Sequence, residues 1–114
     1  MIKIAGIDNN MIANNLSSFY QTHPGEVLKD EVEARGISQK ALAENIGMSY
    51  KVLNDILNER RSVSIENAMI FEAALGISAQ TLIGLQAEYD MAKAKQNTSF
   101  IKRLADIKRV AAVF

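Results

Sequence analysis

The sequence SQKALAENIGMSYKVLNDILN, residues 38–58, determines the fold class of this chain. Ser38 and Ser49 each stand where a helix N-cap is expected, and Gly47 lies between the two segments that they open. Apolar residues recur at helical spacing in both segments, and Ala43 is small enough for the helices to cross closely. Two short helices joined by a turn that contains glycine are typical of a helix-turn-helix.

The second helix of this pair is predicted to turn its first residues outward. Five apolar residues are expected to hold the two helices together, namely Leu42, Ile46, Met48, Leu53 and Ile56. The outward side chains would hydrogen-bond base edges in a major groove, and the polar groups at either end of the pair would bind phosphates. The candidate DNA-contacting residues are Gln39, Ser49, Tyr50, Lys51, Asn54, Asp55, Asn58, Arg60 and Arg61. A solvated helix face without DNA is the alternative that this pattern leaves open.

The flanking sequence predicts further helices by the same signals. One covers about 25–35 and ends at Gly36, and another covers about 65–75 after the N-cap Ser64. A fifth runs from Ser78 to about Lys95, and a last one is expected to be capped by Thr98 or Ser99. The predicted inward stripe of the fourth helix consists of Ile65, Ala68, Met69, Phe71 or Glu72, and Leu75.

These elements predict an all-α protein with a five-helix domain over residues 23–97. Residues 1–22 are expected to form an N-terminal arm, with a short helix around 11–17, and residues 98–114 a C-terminal amphipathic helix. That last helix could dock on its own domain or dimer, on a protein partner, or on an anionic membrane. Dimerisation is predicted through the fifth helix and the edge formed by Ile70, Ala73 and Ala74, unless Ile70 packs under the arm.

Composition limits the classes of function. The chain has 114 residues, no cysteine, one histidine and a formal net charge of zero. Thiolate metal sites and the usual catalytic triads therefore cannot be built, and we expect no catalytic, metal or cofactor site. No stretch predicts a signal peptide or a membrane span, so a cytoplasmic protein without a membrane partner is expected. Residues 38–61 carry four basic and three acidic side chains, which predicts few phosphate contacts per subunit.

Several separate motifs resemble the HigA family of toxin-antitoxin antitoxins, which are phage-repressor-like helix-turn-helix proteins. The matching stretches are His23-Pro24-Gly25-Glu26-Val27-Leu28, Ser38-Gln39, Ile46-Gly47-Met48-Ser49, Asn58-Glu59-Arg60-Arg61 and Leu85-Gln86-Ala87-Glu88-Tyr89-Asp90-Met91. The HPGE entry combined with the distal LQAxYD motif is more specific than the helix-turn-helix alone. The resemblance covers about residues 22–95 and implies a lambda-repressor-like fold.

The resemblance also implies a function. A HigA-like protein dimerises, binds a palindromic operator to repress its own operon, and neutralises a cognate HigB-type, RelE-like toxin that cleaves mRNA on the ribosome. By position, Gln39 would bind a phosphate, Tyr50, Lys51 and Asp55 would lie nearest the bases with Asn54 beside them, and Asn58 and Arg60 would hold the backbone. The arm or the terminal helix is expected to contact the toxin. A stand-alone regulator and a protein-interaction adaptor are the alternatives.

This sequence departs from the family pattern at two positions. Family members commonly carry Asn-Gly before the basic pair, whereas Glu59 follows Asn58 here and adds an anion where phosphate would approach. A tryptophan often found before the distal motif is replaced by Leu82, which concerns packing.

Overall fold

The computed structural model describes residues 21–114, and these residues form six α-helices without a strand. The helices are α1 (Pro24–Ala34), α2 (Gln39–Ile46), α3 (Tyr50–Leu57), α4 (Ile65–Leu75), α5 (Ala79–Ala94) and α6 (Thr98–Ala111). The all-α class predicted from the sequence is confirmed. The predicted arm and its short helix at 11–17 lie outside the described residues.

Short polar side chains begin the helices. The hydroxyl oxygens of Ser38, Ser49 and Ser64 each accept a hydrogen bond, at 3.1 Å, from the backbone N–H three residues on. Each serine has extended backbone dihedrals, as an N-cap requires. The three predicted N-caps therefore place the starts of α2, α3 and α4.

Glycines end three of the helices in the left-handed conformation. The φ angles are 66° at Gly36, 71° at Gly47 and 77° at Gly76. Only glycine adopts these angles without steric cost, so each residue lets the chain leave its helix and turn sharply. At Gly47 this turn is only Gly47 and Met48 plus the capping Ser49, which keeps α2 and α3 close together.

The core is formed by buried side chains from α1 to α5. Its largest fully buried side chains are Phe71, Leu28, Leu53, Ile56, Leu57 and Leu82. Of the five residues predicted to hold α2 and α3 together, Leu42, Leu53 and Ile56 are buried, and Ile46 and Met48 pack half-buried against the core. Leu82 is completely buried, in agreement with a packing role at that position.

The predicted inward stripe of α4 is wrong at two positions. Ile65 is 64% exposed and Met69 is 60% exposed, whereas Ala68, Phe71 and Leu75 are buried. Because α4 carries apolar residues around most of its circumference, periodicity could not distinguish the buried face from its neighbour. The packing of α4 on its neighbours selects the narrower face.

Residues 22–89 form one compact unit and residues 90–114 group into a second. In the second unit, the predicted caps Thr98 and Ser99 are wrong, because Asn97 caps α6 with its side-chain oxygen 3.1 Å from the Phe100 N–H. Asparagine is an equally good N-cap, and it precedes both hydroxyl residues. Within residues 21–114, none of the helices is both long enough and apolar enough to cross a membrane.

Candidate nucleic-acid interface

The interface is built on the helix-turn-helix formed by α2 and α3. Leu42 and Ala43 on α2 are buried with Leu53 and Ile56 on α3, so the apolar faces of the two helices meet in the core. The small side chain of Ala43 permits this close crossing, as predicted. The polar face of α3 is thereby directed away from the core.

The HPG sequence at the start of α1 packs closely against α3. The Nδ1 atom of His23 accepts the Gly25 N–H at 2.9 Å and caps α1, while its ring meets that of Tyr89 edge-on at 4.8 Å. A Cβ atom on Gly25 would lie 1.9 Å from the carbonyl oxygen of Ile56. His23 therefore both caps α1 and packs against Tyr89. The close approach of Gly25 to α3 was not predicted, although an unexplained glycine inside a helix is a signal for one.

The first residues of α3 are exposed at the surface. Tyr50 is 53% exposed, and the side chain of Lys51 is 81% exposed. Ser49 uses its hydroxyl oxygen to cap α3, which leaves the hydroxyl hydrogen as a donor. This end of the helix therefore offers hydroxyl and ammonium groups that can reach beyond the protein surface.

Asp55 lies between two cations. Its Oδ2 accepts Lys51 Nζ at 3.0 Å and its Oδ1 accepts Arg60 Nη2 at 3.2 Å. The Asp55 side chain is only 14% exposed, whereas those of Lys51 and Arg60 are 81% and 59% exposed. The hydrogen bond from Lys51, supported by Arg60, lowers the pKa of Asp55 against the opposing effect of desolvation. The carboxylate is therefore ionised at neutral pH and holds both cations at the surface.

Asn54 connects α2 to the segment after α3. Its Oδ1 accepts Arg60 Nη2 at 3.0 Å, and its Nδ2 donates to Gln39 Oε1 at 3.0 Å. Both ends of the amide are therefore engaged, and the predicted phosphate-binding groups of Gln39 and Arg60 are held on either side of α3. Six predicted contact residues are joined in this way into one hydrogen-bonded network: Gln39, Lys51, Asn54, Asp55, Asn58 and Arg60.

Asn58 brings a residue of α1 to this network. Its Nδ2 donates to the carbonyl oxygen of Asn54 at 2.9 Å, and its Oδ1 accepts Lys29 Nζ at 3.4 Å. In the sequence, Lys29 lies outside the helix-turn-helix segment 38–58. No local pattern connects two residues 29 positions apart, so only the folded structure shows this cation beside the interface. Arg61, also predicted to contact DNA, is exposed and lies outside the network.

The backbone after α3 is a Schellman turn whose left-handed residue is Glu59. The Glu59 N–H donates to Ile56 at 3.0 Å, the Arg60 N–H donates to Asp55 at 2.8 Å, and φ of Glu59 is 65°. Among residues 21–114 it is the one non-glycine residue with positive φ. The same turn ends α1, with Gly36 in the left-handed position. Glu59 therefore occupies the position at which the family commonly has glycine, and glycine would relieve the backbone strain there.

Comparisons with known proteins agree with this geometry. A family model described as helix-turn-helix matches residues 28–82. The Virulence-associated protein I of Dichelobacter nodosus is 32% identical over 80 residues, which are 69% of this chain and 74% of that protein. The Pseudomonas aeruginosa antitoxin HigA, solved with the higBA promoter, is 36% identical with a TM-score of 0.66 over 74% of this chain and 94% of its own. The chain belongs to the HigA family.

A second HigA family structure extends the comparison. The addiction module antidote protein from Coxiella burnetii is 25% identical, with a TM-score of 0.65 over 81% of this chain and 96% of its own. The HigA resemblance derived from HPGE, the helix-turn-helix and LQAxYD is confirmed by these matches. The assignment of individual residues to DNA contacts stays a prediction.

Proposed function

We propose that this HigA family protein is a dimeric, operator-binding antitoxin that represses its own operon. The observation that carries the proposal is the exposed start of α3 beside a network that holds Lys51 and Arg60 at the surface. The Pseudomonas aeruginosa HigA with its promoter is a relative of the same fold and 36% identical, which supports a DNA-binding role for this chain.

In the proposed complex α3 enters the major groove. Tyr50 and Lys51 reach base edges, and Gln39, Arg60 and Arg61 bind phosphates on either side. Two subunits related by a two-fold axis read a palindrome whose half-sites lie about 34 Å apart. Because residues 38–61 carry only one net positive charge, each subunit neutralises few phosphates, and the affinity depends only weakly on salt.

The second proposed activity is neutralisation of a HigB-type toxin. Family membership supports this partner, and the toxin would be a small RelE-like ribonuclease that cleaves mRNA on the ribosome. The protein and its DNA target would then share the cytoplasm. Either the arm, residues 1–20, or the terminal segment, residues 98–114, is proposed to contact the toxin.

Co-expression with the small gene beside this one tests the toxin proposal. We expect the neighbouring gene to arrest growth alone, and the full chain to restore growth and co-purify with its product. A neighbour that is not toxic and forms no complex would overturn the antitoxin assignment and leave a stand-alone repressor.

Binding to the chain's own promoter region tests the DNA proposal. We expect Lys51→Ala to weaken operator binding by about tenfold or more, since a good base contact contributes about 1–3 kcal/mol. Lys40→Ala, on the exposed face of α2, is the matched control because it removes the same charge outside the predicted contacts. Equal losses for both variants would contradict the role of α3, and no binding by the unaltered chain would favour an adaptor function.

A further inference from the structure

Helix α6 carries an apolar stripe whose large side chains are exposed. Apolar residues recur in steps of four and three, at Phe100, Leu104, Ile107, Ala111 and Phe114. None of residues 98–111 is buried, and the large members of the stripe are 40% to 97% exposed. Alternating steps of four and three are the pattern by which a helix pairs with another helix.

The stripe is costly to leave in water. A helix of 14 residues is marginally stable by itself, so α6 gains most of its stability from whatever covers its apolar face. Four large side chains and Ala111 line the stripe over four turns, so a helix laid along it would remove a continuous apolar surface from water. The charged side chains Lys102 and Arg109 are paired with Asp106 on another face of the helix, so that face remains solvated.

We propose that α6 of a second copy of this chain covers the stripe, with the two helices antiparallel and Leu104 of each opposite Ile107 of the other. This register is self-complementary, as a two-fold interface must be. It also sets Phe100 of one copy opposite Ala111 of the other, a large residue against a small one.

The charges beside the stripe select the antiparallel direction. In a parallel pair, Arg103 of one helix would face Lys108 of the other, and two cations would repel each other. In the antiparallel register Arg103 lies beside Val110 and Lys108 beside Ile101, so the aliphatic stems of the cations cover apolar residues. The basic net charge of α6 is therefore compatible with self-pairing only in this direction.

Phe114, at the end of the stripe, also has an apolar groove to occupy in this arrangement. In the same register Phe114 of one copy lies beside the beginning of α6 in the other. An apolar groove of about 200 Å³ opens there, and it is lined by Met91, Ala94, Lys95, Phe100, Ile101 and Leu104. Phe114 is 97% exposed, so burial in this groove would remove a complete aromatic ring from water. Pairing through α6 would require neither operator DNA nor toxin.

Cysteine cross-linking of the full chain tests the register directly, because the natural sequence contains no cysteine. The Leu104→Cys and Ile107→Cys variants are made separately, and one of them carries a longer tag so that the products differ in size. They are mixed in the unfolded state, refolded together and then oxidised. We expect the disulfide between the two different variants to exceed those between identical variants by about tenfold. Ala105→Cys mixed with Ala112→Cys, both away from the stripe, provides the control and should cross-link little.

Sedimentation equilibrium supplies a second measurement. The paired variant Leu104→Glu with Ile107→Glu should weaken self-association at least tenfold, whereas Ala105→Glu with Ala112→Glu should not. A majority of disulfides between identical variants would overturn the antiparallel register. Equal self-association of both glutamate variants would overturn the proposal itself and leave the stripe to the chain's own remaining residues, a toxin or a membrane surface.

Discussion

Gly25 at the start of α1 lies directly against the carbonyl oxygen of Ile56 on α3, so that a Cβ atom at position 25 would come within 1.9 Å of it. No side chain fits between these two backbones. The contact fixes the distance of α1 from the helix that carries Tyr50 and Lys51. The glycine of the HPGE motif is therefore required for α1 to pack closely against the proposed recognition helix.

Gly25→Ala should lower the free energy of unfolding by about 2 kcal/mol or more, because the backbone of α1 or α3 must move to accept the methyl group. Gly84→Ala is the matched control on α5. Nothing lies within 4 Å of a Cβ at position 84, so the gain in helix propensity should stabilise the protein by up to about 1 kcal/mol. Urea unfolding of both variants measures the difference. A similar effect of the two substitutions would refute the close approach.

Glu59→Gly should raise both stability and operator affinity, for separate reasons. Glycine removes the cost of the left-handed conformation, about 1 kcal/mol, and the loss of the carboxylate removes an anion from the proposed phosphate side. Thermal unfolding measures the first effect and titration with promoter DNA the second.

Glu59→Gln separates the two causes, because it removes the charge and keeps a side chain in the left-handed position. We expect the gain in affinity without the gain in stability. Glu59→Asn, with a residue that tolerates this conformation better, should be intermediate in stability. If glutamine stabilises the protein as much as glycine does, backbone strain is not the cause.

Asp55→Asn should weaken selectivity for the operator while strengthening binding to unrelated DNA. The carboxylate holds Lys51 and Arg60, and its loss leaves both cations available to phosphates. The dependence of affinity on salt should become steeper by about one counterion for each added phosphate contact. Because the pKa of Asp55 is lowered, the ionised pairs persist at neutral pH and are lost only as the pH falls through that lowered value.

Glu44→Gln controls for the change in net charge, since Glu44 is exposed on α2. It should leave the salt dependence nearly unchanged. Were Asp55 instead a direct reader of a base, Asp55→Asn would relax the preference at one base pair and leave unrelated DNA unaffected.

Gln86→Leu should reduce the free energy of unfolding by about 1–3 kcal/mol. The Gln86 Oε1 atom accepts the backbone N–H of Val63 at 2.9 Å, and both residues are buried, so leucine would leave that donor without its acceptor. Gln80→Leu, on the exposed side of the same helix, should change stability by less than about 0.5 kcal/mol. Urea unfolding of the two variants tests this role for the LQAxYD motif.

The boundaries and class of the fold follow from local chemistry in this chain. Ser38, Ser49 and Ser64 cap helices because a side-chain oxygen can reach an N–H only three residues away, and Gly36, Gly47 and Gly76 end them because only glycine accepts positive φ without steric cost. Both effects act within one turn, so they are visible in a sequence read alone.

The tertiary structure determined everything that depends on residues far apart in the chain. It turned Ile65 and Met69 of α4 outward, since a helix that is apolar on most sides can be buried along more than one face. It brought Lys29 to Asn58, Gln39 to Asn54, and Gly25 to Ile56. The identities of the residues set their chemistry, but their distances depend on how the helices pack, and packing is a property of the whole core.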